Sequence, residues 1–467
     1  MKRAAHLLRR GRSGSVLILS LIFLIMFSAL AVAMAGMSDG NVQIAENHRK
    51  LGTTHACAES GLEITRYWLG KIEVSGTTAP GQRFSQVASL LQAELTANDV
   101  NNITPAYGET TITIPSVALD SGGQSFSAVL TKIDDDNIRL DVTGRYGPLA
   151  RTIRANYAFS TRAHTVFDFG VASKGPVSLS GNVDLEGVNI DVESNAYIES
   201  ENTLLALSIT GNSQIAGSVK IVNPSACVYL QGGQAGIGGV TGQAATQPPY
   251  TTIGAPPTEF PEMHPQPFIN YVEAHGAVVT VEQASQSNTT FTNPIIRANT
   301  NPSFASGSIL RGVVFVEAPN TVTFAGHVSI AGIIVTDGDP LDDSGTNQLS
   351  FSGNVTSYSV ETLSAAEFGT WLPTQKGTFI MAPGFLASFT GSFSAESGAI
   401  AANGIQFSGN AGGTINGSII NYSDAQMVLS GNSDLYFNRS GLTEVPAGFV
   451  PQLILQYDPS SYAEVIL

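Results

Sequence analysis

Four carboxylates crowd one short stretch, VTDGDPLDDSG: Asp337, Asp339, Asp342 and Asp343. Asp alternating with Gly offers oxygen ligands of the kind Ca²⁺ takes. Asp and Gly are also the commonest turn residues, and no twelve-residue calcium loop is complete, so a solvated connection is the reading adopted. A polysaccharide lyase or hydrolase would need paired carboxylates, or Ca²⁺ with a basic residue. Arg297 and Arg311 with the Asp337 loop are the best material for that chemistry, and they are far apart in sequence. The histidines (6, 48, 55, 164, 264, 275 and 327) show no metal-ligand spacing. QGGQAGIGG, residues 231–239, has neither the following Lys nor the helix of a phosphate loop. Cys57 and Cys227 make neither a disulfide framework nor a zinc site, and two separate, mostly buried thiols are expected. Trp68 and Trp371 read as packing residues. No catalytic, cofactor-binding or metal-binding residue is assigned, and the chain is not expected to be an enzyme.

The elements that carry these residues begin with an uncharged apolar run from Val16 to Ala35, VLILSLIFLIMFSALAVAMA. About 20 such residues cross a bilayer as a helix. Lys2, Arg3, Arg9, Arg10 and Arg12 precede the run without an acid among them. That bias keeps the leader on the cytoplasmic side and sends the rest of the chain outward. The alternative is a removable secretory signal, but the apolar core exceeds the usual length of such signals. With a formal net charge of −15 and a basic leader, the body is strongly acidic, which argues against nucleic-acid binding.

Length and composition give the class. A chain of 467 residues exceeds one ordinary core. Charged residues make up only 13% and there are 48 Gly, which suits a turn-rich, mainly β body behind a long N-terminal helix. The helix is expected to continue past the apolar run to about Gly70, with a kink or re-capping point at Gly36–Gly40 and a weak stripe of Leu51, His55, Ala58, Leu62, Thr65 and Leu69. Residues 83–95 read as a short amphipathic helix, followed by four alternating segments that form an antiparallel meander: Thr110–Ile114, Ser125–Ile133, Asn137–Thr143 and Ala150–Phe159.

From about Asp168 a phrase recurs: apolar, any, apolar, Ser or Thr, Gly, Asn. It stands as VSLSGN, LSITGN, LSFSGN, IQFSGN and MVLSGN, with looser copies VTFAGH and ASFTGS. The corner pairs are Gly181–Asn182, Gly211–Asn212, Gly353–Asn354, Gly409–Asn410 and Gly431–Asn432; His327 replaces Asn in one copy. Strand and turn repeating together fit a parallel β-helix, in which stacked coils align their corners over a continuous apolar core. Both Gly and Asn tolerate a left-handed corner. The alternative is a β-sandwich with Gly-Asn hairpins.

The divisions that follow are a leader (1–14), a transmembrane helix (15–36), its continuation (37–75) and a small α+β unit (76–160). Then come repeats (161–246), a Pro-rich excursion (247–267), further repeats (268–440), and a tail (441–467) expected to cover the last coil.

The segments GRSGSVLILSLIFLIMFSALAVAMAGMSD and AENHRKLGTTHACAESGLE resemble the N-terminus of PilX-type, type IV pilin-like, pilus-assembly proteins. The matching features are the basic leader ending in Gly, the immediate apolar helix, and Ala58-Glu59-Ser60-Gly61-Leu62; they cover roughly residues 9 to 70. The resemblance implies a pilin-like α+β unit and cleavage by a prepilin-type peptidase after Gly14, leaving Ser15 first, with Gly11 as a second candidate. Leu19 stands where major pilins carry Glu, which points to a minor component. The expected function is a membrane-anchored structural or assembly component of a type IV pilus or related envelope system. It would sit as a single span in a bacterial inner membrane, with its C-terminal domain periplasmic or extracellular. Expected partners are the bilayer, other pilin-like subunits, and a glycan or protein ligand of the repeat surface, but no nucleic acid. The alternatives are an anchored β-helix carbohydrate-active enzyme and a surface adhesin outside any pilus.

Overall fold

The computed structural model describes residues 13–395, 398–439 and 445–465. A long N-terminal helix is followed by a β-rich chain containing parallel sheets. The chain forms two compact units, one of residues 1–74, 78–160 and 454–467, the other of 75–77 and 161–453.

In the first unit one helix, Ser13–Leu69, runs without interruption through Gly36 and Gly40, so the expected re-capping there does not occur. Residues 16–53 carry no buried side chain; burial begins at Thr54 and continues through Cys57, Ala58, Gly61, Leu62, Thr65 and Leu69. The buried stripe is therefore rotated from the expected one, with Leu51 and His55 at its margin. Two threonines can occupy it because each hydroxyl donates back along the helix, Thr54 to Lys50 O (2.7 Å) and Thr65 to Gly61 O (2.7 Å). The helix lies very close to its sheet. A Cβ on Gly144 would meet Ala58 N at 2.3 Å, and one on Gly61 would meet the Phe126 ring at 2.5 Å. A second helix, Pro80–Ala97, buries Phe84, Val87, Ala88, Leu91 and Leu95.

The sheet is antiparallel through Thr111–Ala118, Gln124–Lys132, Asn137–Tyr146 and Leu149–Arg162. Ala106–Tyr107 extends one edge. Beyond Leu149–Arg162 the next strand is Gln452–Val465, followed by Glu73–Ser75. The C-terminal tail is thus a sheet strand of this unit, held in part by Asn156 N donating to Ser461 Oγ (2.7 Å), rather than a cover for the last coil.

In the second unit two-residue to ten-residue strands pair in parallel with the strand one phrase later. One nine-stranded face runs Cys227–Gln231, Leu205–Gly211, Val177–Asn182, Met427–Asn432, Ile405–Phe407, Leu386–Phe389, Gln348–Phe351, Thr321–Phe324, Ser303–Phe304. The order is not sequential. Met427–Asn432, late in the chain, pairs along its whole length with Val177–Asn182, the first phrase. That pairing satisfies the edge the tail was expected to cover. The Pro-rich excursion also starts later than expected: Thr251–Ile253 still pairs with Val219–Ile221, and residues 254–265 then lead into the helix Gln266–His275.

The core is a column of third-position side chains. Phe304, Phe324, Phe351, Phe389 and Phe407 stack with centroid separations of 5.5, 4.8, 4.6 and 4.8 Å and nearly parallel planes. Leu429, Leu179 and Ile209 continue it by register. Burying such residues between neighbours of their own kind contributes about 1.5–3 kcal/mol each.

Candidate assembly surface and the repeat corners

The uncovered part of the helix is its most apolar part. Val16, Phe27 and Met34 are 69%, 65% and 65% exposed, and the window is long and apolar enough to cross a membrane. At 1.5 Å per residue, Val16 to Ala35 spans about 30 Å, the thickness of a bilayer's hydrocarbon. Polar residues 36–53 extend the exposed helix by about 27 Å before it packs on its sheet. The 36–53 stretch pairs charge only locally, as in Lys50 Nζ to Glu46 (2.9 Å). Gly14 and Ser15 lie in the first turn of the helix by backbone, whereas leader residues 1–12 lie outside the described residues. Leu19 is exposed with its neighbours.

The carboxylates of the Asp337 loop are engaged within the loop and by neighbouring segments. Asp337 accepts from Ala318 N (2.7 Å), Asp339 from Leu341 N (2.9 Å), and Asp342 from Ser344 N (3.0 Å) and Asn347 Nδ2 (3.1 Å). Asp343 accepts from Asn403 Nδ2 (3.3 Å). Among the described residues no group of three His, Cys, Asp or Glu could hold a metal ion. Arg297 makes a two-pronged bond to Glu273 (2.7 and 3.0 Å), and Arg311 pairs with Glu367 (2.8 Å) beneath the Phe368 ring. Neither is brought to the Asp337 loop. Trp371 packs on Phe268 and Tyr271.

The repeat corners are built differently from the expectation. Gly181, Gly211, Gly409 and Gly431 have positive φ, but Gly353 does not, and no corner Asn is left-handed. The reason for glycine is chiefly the coil beneath. An added Cβ would meet the preceding corner's carbonyl oxygen at 2.6 Å for Gly181, 2.4 Å for Gly211, 1.9 Å for Gly353 and 2.2 Å for Gly431. Two of those carbonyls accept a bond: Asn212 N donates to Gly181 O (2.8 Å) and Asn432 N to Gly409 O (2.7 Å). Asn182, Asn212, Asn354, Asn410 and Asn432 are all exposed, and Asn182 stacks on Asn432 and Asn354 on His327 by register.

Neither thiol is paired. Cys57 is buried, and burial raises its pKa; Cys227 is exposed at the free edge of the nine-stranded face, against the expectation of burial. Sequence reasoning also missed Glu199. Burial, opposed by Lys174 and reinforced by Glu201 and Asp424, pushes its carboxyl up to about 7, and nothing in its local sequence marks it.

No family model matches the chain, and no curated protein matches it. Among solved structures, the competence-associated pilin ComZ from Thermus thermophilus is similar over 89% of this chain and 98% of its own, at 12% identity and a TM-score of 0.30.

Proposed function

We propose that the chain is a membrane-anchored, pilin-like structural component of a type IV pilus or related envelope system, displaying a β-solenoid domain. One observation carries this reading: the apolar segment of about 30 Å, wholly uncovered, is continuous with the helix that packs on the antiparallel sheet. A helix that apolar on all sides needs lipid or other apolar helices around it. The PilX-type resemblance of residues 9 to 70 supplies both in turn, first the inner membrane and then neighbouring pilin-like subunits. Gly61 of the resembling phrase has a physical task here, since its missing side chain admits the Phe126 ring. The solenoid reading is supported by coil-to-coil parallel register, the phenylalanine column and the glycine corners. A non-catalytic role is supported by the engagement of Arg297 and Arg311 with Glu273 and Glu367.

The test is the mature N-terminus of the native protein, read by mass spectrometry. A start at Ser15 in the membrane fraction is expected. A soluble protein starting near Ser38 overturns the proposal, and a start at Met1 removes prepilin-type processing from it.

A further inference from the structure

The parallel strands of the second unit form three faces, and their outer sides differ sharply. One is plated with apolar elements: Phe268 and Val272 of the helix Gln266–His275, with Phe368 and Leu372, join outward residues such as Ile295 and Val313 in one buried cluster. A second carries charge, including Asp184, Glu186, Asp434 and Arg311. The third is the nine-stranded face, and none of its nine strands contains an Asp, Glu, Lys or Arg. That is unusual on a chain with net charge −15.

Most of its outward positions are hydroxyls or amides in register, interrupted by Leu386 and Val428. Thr323, Ser350 and Ser388 align at one end of a column. Ser388 is itself buried; Gln406 and Val428 follow it in register, then Ser178 and Ser208, and Tyr229 closes the column. Beside them Ser430, Ser180 and Thr210 form a second column. Thr210 and Ser430 donate long bonds of 3.4 Å to the coil beneath, to Leu179 O and Phe407 O, and Tyr229 donates to Gln231 Oε1 (2.8 Å). Parallel strands repeat every ~4.8 Å and alternate residues every ~6.7 Å, so the face is a grid about 38 Å long. The exposed corner asparagines border it.

From this we infer that the nine-stranded face binds a neutral polysaccharide laid along the stack of coils. Hydroxyl and amide groups both donate and accept, as sugar hydroxyls do. A one-dimensional polymer of like units meets a hydroxyl or amide at most coils, so weak contacts add along its length. The absence of cations disfavours anionic polymers, and outward apolar side chains as scattered as Val428, Leu386 and Tyr229 disfavour lipid and apolar protein partners. The inference is independent of membrane anchoring or entry into a pilus.

The experiment is co-sedimentation of the full chain, in detergent micelles, with insoluble β-glucan and chitin particles and with an anionic alginate gel. Retention on at least one neutral polymer and none on alginate is expected. The double variant Ser178→Glu, Ser180→Glu should reduce retention roughly tenfold or more, whereas Ser178→Thr, Ser180→Thr keeps it. Ser329→Glu, Thr356→Glu, outward on the charged face, should leave it unchanged, with melting curves run on every variant to separate binding from folding. Retention on no neutral polymer, equal retention on alginate, or equal loss in both Glu pairs overturns the inference.

Discussion

Replacing Gly353 by alanine isolates the physics of the corner. Its φ is not left-handed, so alanine meets no intrinsic backbone penalty there. The added Cβ would instead stand 1.9 Å from Gly326 O and 2.3 Å from Gly326 N, both backbone atoms. Relief requires the two coils to part by about 1 Å, because a carbon needs more than 3 Å from such an oxygen. The bonds at risk include Ser352 N to Phe324 O (3.1 Å) and the four-residue register of Gln348–Phe351 on Thr321–Phe324. Losing two or three of these at about 1 kcal/mol each, with loosened packing of Phe351 on Phe324, gives about 3–5 kcal/mol. The control is Gly345→Ala, where φ is +68° and nothing lies within 4 Å of the new atom. There only the left-handed penalty of about 1–2 kcal/mol applies. Pulse proteolysis in urea on the full chain, following loss of the repeat unit, measures both. The reasoning fails if Gly353→Ala costs no more than Gly345→Ala.

Other outcomes follow from the same structure. Phe389→Ala removes a ring lying between Phe351 and Phe407 and should cost about 3–5 kcal/mol, read by the same proteolysis; a cost below 1 kcal/mol would deny the column its role. Glu199, pushed up to about 7 chiefly by burial, favours folding most while protonated, so its contribution is full below its ordinary value of 4.5 and is lost as pH rises through 7. Glu199→Gln should therefore be near neutral at pH 4 and stabilise by about 1–3 kcal/mol at pH 8, a figure reduced for partial exposure; equal effects at both pH values refute the assignment. Cys227 should react with a maleimide in the folded chain while Cys57 reacts only after denaturation, which peptide mapping distinguishes.

Much of this was readable from local pattern. The alternation at 110–114, 125–133, 137–143 and 150–159 coincides with four sheet strands because one face of each is buried and one is wet. The third position of the repeated phrase coincides with the stacked core for the same reason. What local pattern does not contain is which backbone lies against which. The buried stripe of the helix is centred on Thr54, Cys57 and Ala58 because Gly144 brings a strand against Thr54 O and Ala58 N, a contact nearly 90 residues away in sequence. The corner glycines look like turn residues, yet at Gly353 the demand comes from Gly326 in the neighbouring coil. Glu199 is invisible for the same cause, since its desolvation is tertiary.

The non-sequential order of coils has a topological reason that composition cannot express. The strands Leu149–Arg162 and Gln452–Val465 are neighbours in the antiparallel sheet, and the whole repeat unit is inserted between them. An insertion joining two adjacent strands must begin and end close together. A stack of parallel strands laid down in simple order does the opposite, because its first and last strands are separated by the full stack, here about 38 Å. The chain resolves the conflict by winding Val171–Ile253 away from the entry point and crossing through 254–265. It then winds from Ala277 back toward its own first coil, so that Met427–Asn432 seats on Val177–Asn182 and Leu435–Phe437 on Asp184–Gly187. Entry and exit thus become adjacent coils, and the parallel edge that each would otherwise expose is paired by the other. The corner glycines bear the same logic across this seam: Gly181 is as tightly apposed to Gly431, its partner 250 residues later, as Gly211 is to Gly181 in sequential order.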